Sequence, residues 1–402
     1  MAFQTGSNVL VAIKAEATTG VIAGSTASEA VRIRIVDSPG LQLDRAVVAS
    51  NEKRADGLTS MGRLGGKSVS GSFNVELNAG GAVNLMLGAI MRSAFATSTV
   101  IVYSTEVVVA TNYVQGGTAS DWATAGVKVG DIFTISGNAE ALVNGINAQV
   151  LSITSATLMV PVGTFATSAV ADASVTVTRL RKLVNAATPT RSSYSVEQHD
   201  TDLDLSEVFL GCRVTGMQLS FKPGEMATAQ FTLMGMDRTQ LTTATSPYYI
   251  TPVLTTSLSL VADDGTICKG GVVVAKYTGI DLNFNLTAKG EPVIGSLVSP
   301  DIFDNDLSVD GSITGLREDF ANLTLYDAET EFELALLLQE PTGAPPVCLS
   351  FFFPRVKISA LSAPVGGSDG AKIETLGIMI GAKTAATGYD AGIANIGTSA
   401  VA

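Results

Sequence analysis

The residue types best suited to chemistry gather around His199, the single histidine of the 402-residue chain. Glu197, Asp200, Asp202 and Asp204 lie within five positions of it. Carboxylate oxygens and an imidazole nitrogen together could ligate a divalent metal ion. The run has neither the middle glycine of an EF-hand loop nor a second His or Cys cluster nearby. We therefore interpret it as a solvated edge between a strand and a loop.

A nucleophilic active site would depend on the same histidine. Ser and Cys nucleophiles need an adjacent base, usually His, so such a site could only involve His199. Residues 62–68 end in Gly-Lys-Ser, but the spacing is one residue short of a phosphate-binding loop and precedes a predicted strand. The carboxylate pairs at 263–264 and 318–319 fit a turn and a helix start. We predict a non-enzyme without a cofactor or a bound metal.

The composition favours an ordered β protein, much of whose surface is covered by other copies of the chain. The chain is 46% hydrophobic, contains 40 glycines and has only 15% charged residues. Its length is sufficient for two or three domains. The net charge of -12 argues against binding to nucleic-acid phosphates, but it suits a surface past which DNA slides without sticking.

Cysteine usage and the N-terminal segment bear on where the protein is made. Cys212, Cys268 and Cys348 are far apart and have no metal-type spacing, which favours reduced core thiols. Residues 1–20 lack the basic and continuous apolar regions of a signal peptide. No apolar run approaches the roughly 18 residues of a membrane helix. We expect cytoplasmic synthesis and no membrane partner.

A strand pattern occurs twice. Each copy has an upstream strand start and a hairpin: residues 69–73, 213–221 and 227–235 in the first, and residues 309–313, 355–362 and 371–381 in the second. Gly224 marks the turn of the first hairpin, and Gly366, Gly367 and Asp369 mark that of the second. A doubled β-unit with little catalytic equipment indicates a building block.

The predicted fold class is mainly β, with two β-sandwich or barrel units, short flanking helices and a small inserted all-β domain. Tightly spaced short strands after position 105 indicate the insertion, because the first copy holds more residues between its landmarks than the second. The predicted borders are 1–104 with 183–240 for the first unit, 105–182 for the insertion, 241–254 for a linker and 255–402 for the second unit.

Three local features complete the prediction. A helix is expected over about 80–95, with Asn78 as its N-cap and with Val83, Met86, Leu87 and Ile90 as a core stripe. A shorter helix is expected around 318–327. The polar stretch 39–66 is long for a connection, which is typical of a functional arm, although a hairpin that folds back is equally compatible. The tail 385–402 is expected to be mobile or docked on a neighbouring copy.

The segments that carry a family resemblance follow one another in both halves. They are residues 209–224 with the preceding Asp200, Asp202 and Asp204, and residues 277–279, 299–303, 307–312 and 353–357. Their order resembles the tail tube protein, or major tail protein, of long-tailed, non-contractile bacteriophages. The resemblance covers roughly residues 25–100 and 190–385.

The resemblance implies two tail-tube-type units whose sheets join edge to edge with neighbouring copies into stacked rings. It implies a virion protein of the phage tail that is made in the host cytoplasm. Its partners would be copies of itself, other tail proteins and DNA passing through the lumen during ejection. Two units per chain imply trimeric rings with pseudo-sixfold symmetry; hexameric rings follow if only one unit forms the tube. The inserted domain would decorate the outside.

Alternation along the hairpins predicts which residues face the lumen. Met217, Leu219, Phe221, Phe231 and Leu233 form the apolar face of the first hairpin. The candidate lumen residues are Gln218, Ser220, Thr228, Gln230 and Thr232 in the first hairpin and Lys357, Ser359, Lys372 and Glu374 in the second. The alternative is that these faces point to outer solvent. The candidate ring-to-ring arm comprises Asp44, Arg45, Asn51, Glu52, Lys53, Arg54 and Asp56.

Other classes of protein remain open from sequence. A capsid decoration protein or an injection-system tube would share the β-rich composition, and stacked rings would separate the tail tube from isolated trimers on a shell. A secreted sandwich-domain adhesin would need an export signal. An enzyme would have to use His199, so replacing that residue would test it.

Overall fold

The structure is a computed structural model. It describes residues 3–25, 30–103, 107–110, 113–116, 122, 125–155, 158–161, 175–365, 370–385 and 388–400. The predicted turn at Gly366, Gly367 and Asp369 lies outside the described residues.

In these residues the chain forms 24 β-strands and two α-helices. In chain order the elements are β1 (Val9–Ala15), β2 (Val31–Ile33), β3 (Gly40–Val48), β4 (Arg63–Glu76), α1 (Gly81–Met91), β5 (Thr99–Tyr103), β6 (Val108–Ala110), β7 (Tyr113–Gln115), β8 (Ile132–Ser136), β9 (Asn147–Ser155), β10 (Leu158–Pro161), β11 (Val175–Arg179), β12 (Arg181–Val184), β13 (Tyr194–Asp200), β14 (Leu205–Phe221), β15 (Thr228–Gly235), β16 (Asp237–Leu241), β17 (Gly265–Lys269), β18 (Val272–Val273), β19 (Tyr277–Gly290), β20 (Ile302–Leu316), α2 (Ala321–Asp327), β21 (Phe332–Gly343), β22 (Pro346–Ser362), β23 (Ile373–Ile380) and β24 (Asn395–Thr398). The predicted mainly β class is confirmed.

Eight antiparallel strands form a continuous sheet in the order β3-β4-β15-β14-β19-β20-β23-β22, which we call the eight-strand sheet. The first four strands come from the first copy of the sequence pattern and the last four come from the second copy. Their residues alternate between buried and exposed, as expected for antiparallel strands with one face on a core. The joint between the two copies is the pairing of β14 with β19.

The long strands β14 and β22 each leave this sheet at their N-terminal ends and enter a second layer. The start of β14 pairs with β13 and β16, and β13 in turn pairs with β1. The start of β22 pairs with β21 and β24, and β21 pairs with β17. The two copies therefore have matching strand connections, and each long strand links two layers.

β-Bulges occur at matching places in the two copies. The register of β14 against β15 shifts between Val214 and Gly216, and that of β22 against β23 shifts between Ile358 and Ala360. A bulge adds one unpaired residue to one strand, so it sets which side chains face which way beyond it. These bulges give the residue-by-residue equivalence of the two copies.

One hydrophobic core serves both copies. It includes Phe73 and Phe231 from the first copy and Leu282 and Ile313 from the second, all of which are fully buried or nearly so. The predicted stripe on α1 is buried in the same core: Val83, Met86, Leu87 and Ile90. Burial of each large apolar side chain stabilises the fold by roughly 1.5–3 kcal/mol. Helix and sheets are thus held by shared packing.

The N-cap prediction for α1 is wrong. The helix begins at Gly81, its N-cap is Gly80, and both glycines have a positive φ. Asn78 is buried, and its backbone forms a β-bridge with Ser259 instead. A Cβ on Gly81 would collide with the side chain of Thr255, so glycine is required at this close approach.

The smaller sheet has seven strands in the order β5-β11-β8-β9-β10-β7-β6 and its own core around Trp122 and Phe133. It begins with β5, before the predicted border at 105, while β12 pairs with β24 in the larger sheet. The buried carboxylate of Asp131 lies 3.1 Å from the ammonium of Lys182, a residue of β12. The smaller sheet is therefore anchored to the larger one at the base of β12.

The structure decides two connecting segments that the sequence left open. The stretch 39–66 is a hairpin of β3 and β4 with an irregular tip, one of the two alternatives that the sequence left open. The C-terminal tail was expected to be mobile or docked on a neighbouring copy. It instead contributes β24, which pairs with β12 and β22 of the same chain.

Candidate functional site

The outward side of the first hairpin is polar. Met217, Leu219, Phe231 and Leu233 are buried. The alternate positions point away from the core and are exposed or half-buried: Gln218, Ser220, Thr228, Gln230 and Thr232. The predicted segregation of these two sets follows from the two-residue period of a strand. That the polar set lines a lumen stays a prediction.

The same face continues over neighbouring strands that sequence reasoning did not include. The additional outward side chains are Ser70, Ser72 and Asn74 on β4, Asp281, Asn283, Asn285 and Thr287 on β19, and Ser308, Asp310, Ser312 and Thr314 on β20. We call these residues, together with the five on the first hairpin, the polar face. Alternation within β19 and β20 could have identified them, but only the pairing of β14 with β19 shows that they adjoin the first hairpin.

Side chains on the polar face bond to each other across the strands. The amide of Gln230 donates to Asn74 Oδ1 at 2.8 Å, and Ser220 Oγ donates to Asp281 Oδ1 at 2.7 Å. Asn283 lies opposite Asp310 and donates to its carboxylate at 3.2 Å. Cross-strand pairs of this kind stabilise a sheet by roughly 0.2–1 kcal/mol each. The polar face holds two carboxylates and no lysine or arginine, so it is negatively charged.

Glu374 was predicted to lie on the polar side of the second hairpin, and this is wrong. Its side chain is 4% exposed and accepts a hydrogen bond from the amide of Asn322 in α2. The outward residues of β23 are Thr375, Gly377 and Met379.

The error follows from a one-residue difference between the sequence match of the two hairpins and their strand pairing. Matching the two hairpins by sequence pairs Gln230 with Glu374, whereas matching them by their bulges pairs Gln230 with Thr375. A slip of one residue moves every side chain of a strand to the opposite face. Within β23, Glu374 lies on the same face as the buried Leu376 and Ile378.

The other three residues of the second hairpin do not form one face. Lys357 points outward, and its Nζ lies 3.8 Å from Glu331 Oε1. Ser359 is the extra residue of the bulge. Lys372 is exposed but precedes β23.

The predicted arm residues are all exposed but belong to two different parts of the hairpin. Asp44 and Arg45 lie in β3, and the rest lie in the tip: Asn51, Glu52, Lys53, Arg54 and Asp56. Arg54 pairs with Asp56 at 2.6 Å and holds the pKa of that carboxyl below its usual value. Large apolar side chains accompany them, including Met61 at 92% exposure and Val47 at 74%. Exposed apolar groups around a polar tip are typical of a protein contact.

His199 is not at a solvated edge, so that interpretation is wrong. It is buried in β13, and its Nδ1 lies 3.1 Å from the hydroxyls of both Ser206 and Ser246. Glu197 is also buried and accepts hydrogen bonds from two backbone amides. Asp202 instead accepts from the amide of Thr5 at 2.8 Å. The carboxylates therefore diverge, and among the described residues no cluster of three metal-ligating side chains is found.

The three cysteines are buried and form no disulfide. Burial raises the pKa of Cys268 and of Cys348 to about 11, and it raises the pKa of Cys212 well above the usual value. Thiols with raised pKa values stay protonated at neutral pH and are poor nucleophiles and metal ligands. Neither described helix has the length and apolarity to cross a membrane.

Comparison with known proteins gives one family match. A family model described as phage tail tube protein matches residues 6–391, which is nearly the whole chain. No curated protein matches the chain.

Proposed function

This chain belongs to the phage tail tube protein family, and we propose that it polymerises into stacked rings that form the conduit for DNA ejection. Family membership makes it a structural protein of the virion tail. The finer features of the proposal are the ring symmetry, the lining of the lumen and the surfaces between rings.

The ring is formed by three chains with pseudo-sixfold symmetry. In support, each chain carries two copies of one strand arrangement, and each copy supplies four strands to the eight-strand sheet. Three chains of eight strands would close a 24-stranded barrel. Strands about 4.8 Å apart then give a backbone diameter of roughly 35–40 Å before strand tilt is added. Barrels of 16–18 strands already leave an aqueous channel, so this one has room for a duplex.

The polar face lines the lumen, and this face is the observation that carries the proposal. It runs without interruption from β4 to β20 across both copies. Its side chains are small, mutually hydrogen-bonded and acidic in sum. Such a surface offers phosphates no cation, so DNA passes without being held. The smaller sheet contacts β21 and β22 through Leu337 and Phe352, away from this face, which supports its place on the outside.

The test is electron microscopy of the purified chain over a range of concentrations, combined with mass measurement of isolated rings. Hollow sixfold end views with the mass of three chains are expected. Sixfold rings with the mass of six chains would retain the conduit and contradict the trimer. Single particles at every concentration, or isolated trimers without stacking, would contradict polymerisation into a tube.

A further inference from the structure

In the described part of the chain, no further strand pairs with either outer edge of the eight-strand sheet. β3 is bonded to β4 on one side only. Beyond Val356, β22 is bonded to β23 but, in the described part of the chain, to no strand on its other side. Ala360 and Ser362 are exposed there. Unpaired edges present rows of backbone donors and acceptors that readily pair with another chain.

The chain contains its own example of how such edges meet. At the joint between the copies, β14 pairs antiparallel with β19, with Gln218 opposite Asn283 and Met217 opposite Phe284. By the repeat, β22 is the equivalent of β14, and β3 is the equivalent of β19. The outer edge of β22 and the outer edge of β3 therefore correspond to the two strands of a second joint of the same kind.

Bulges give the register of this second joint. The bulge after Val214 in β14 matches the bulge after Ile358 in β22, which makes Ser362 the equivalent of Gln218. The bulge after Leu286 in β19 matches that after Arg45 in β3, which makes Gln42 the equivalent of Asn283.

We propose that β22 of one copy pairs antiparallel with β3 of the next copy, with Ser362 opposite Gln42 and Leu361 opposite Leu43. The inference rests on the proposed function and names the surface through which the rings close. Its occupant is a second copy of this chain.

The side chains at the proposed joint suit it. Leu361 and Leu43 point toward the core side and are half-buried in the single chain. Placed opposite each other, they repeat the pairing of Met217 with Phe284. Ser362 and Gln42 point to the opposite side, on which the polar face lies, and would place polar side chains there across the joint.

A pair of cysteines can test the register. The amide and carbonyl of Leu41 bond to the side chain of Gln198 at 2.8 and 3.0 Å, so they face the outer edge of β3. The backbone groups of Gln42 then face β4, which makes Gln42 and Ser362 a non-hydrogen-bonded pair. The Cα atoms of such a pair are about 4.5 Å apart, within the range of a disulfide. Within one chain the two positions lie at opposite edges of the sheet, about 30 Å apart.

The experiment is oxidation of assembled Gln42→Cys/Ser362→Cys protein, followed by a non-reducing denaturing gel. The 41.3 kDa monomer band should be lost in favour of a covalent series that ends at three chains. A series that ends at six would retain the joint and contradict the trimer. The matched control is Gln42→Cys/Ala360→Cys, in which the cysteines are diagonal neighbours about 7–8 Å apart and should stay monomeric.

The outcomes separate the joint from the function. Tubes that form but do not cross-link, or that cross-link equally in the control pair, overturn the joint and leave the conduit intact. Wild-type protein that never assembles overturns both. If the cysteine pair itself prevents assembly, Leu43→Pro decides: its amide faces the outer edge, so ring formation should be lost, whereas Leu43→Ala, which removes the same side chain from the core, should still form rings. Normal rings from Leu43→Pro would overturn the joint, and Leu43→Ala is the control.

Discussion

Lys182 links the smaller sheet to the larger one through a buried ion pair. Its ammonium lies between the carboxylates of Asp131 and Asp390, at 3.1 and 2.7 Å, and Asn395 also donates to Asp131. Burial raises the pKa of Asp131, while the nearby ammonium opposes that shift. Removing the cation would leave a buried carboxylate without its main compensating charge.

We expect Lys182→Met to lower the free energy of unfolding by about 3–5 kcal/mol, as for other broken buried ion pairs. Chemical denaturation with paired spectroscopic probes would measure it. Lys289→Met is the control, because the pair of Lys289 with Glu291 is exposed and should contribute below about 1 kcal/mol. An equal loss in both variants would show that burial of the pair is not what matters.

At the scale of elements, the polar face is built from strands that were predicted separately and that pair in a way the sequence does not show. Its charge leads to a direct prediction. Gln230→Lys/Asn283→Lys should place two cations per chain on this face while leaving the core untouched. Tubes should assemble normally and should retain double-stranded DNA in a mobility-shift assay at low salt, with binding lost as salt rises.

Gln240→Lys is the matched control for the DNA assay, since Gln240 is exposed on β16, outside the eight-strand sheet. It should leave DNA passage and retention unchanged. Equal retention by both variants would argue that the polar face is not the surface along which DNA moves. Loss of assembly in the double variant alone would place Gln230 and Asn283 in an interface.

The tip of the β3-β4 hairpin is the second element with a separable role. Leu58 and Met61 are 65% and 92% exposed, so they contribute little to the fold of one chain. We expect Leu58→Ser/Met61→Ser to leave the unfolding temperature unchanged and to yield single rings in place of long tubes. Negative-stain electron microscopy would count rings per particle.

Val100→Ser/Val102→Ser is the control for the tip, because these exposed valines lie on β5 of the smaller sheet. Tubes of normal length are expected from it. Tubes of normal length from the tip variant would rule out these two side chains as the ring-to-ring contact.

At the scale of the whole molecule, the smaller sheet enters and leaves the larger one at a single place. Thr99 lies directly opposite Arg179 in the register of β5 and β11. Replacing residues 99–179 with two glycines therefore joins ends that are already adjacent. The shortened chain should form rings with the same lumen and a smaller outer diameter, measured in end-on class averages.

Its unfolding temperature should fall, because Phe352 and Leu337 lose their contacts with Val129 and Ile132. A folded shortened chain that forms no rings would place the smaller sheet at a junction between copies. Rings with a wider lumen would place it inside.

What the sequence alone determined is what depends on neighbours along the chain. Strand alternation separated Met217 and Leu219 from Gln218, because the period of two is a local property. Helical spacing identified the buried stripe that includes Met86, and the order of the strand segments identified the family.

Only the tertiary structure decided what depends on pairing between distant segments. The pairing of Ser362 with Thr375 makes Thr375, and not Glu374, the equivalent of Gln230, because the register of β22 against β23 is a property of both strands. His199 is accommodated inside because Ser206, in the next strand, and Ser246, 47 residues along the chain, lie within hydrogen-bond distance of its Nδ1. The polar face spans both copies because β14 meets β19, and no local pattern specifies that contact, since backbone hydrogen bonds between strands are the same for any sequence that fits the pleat.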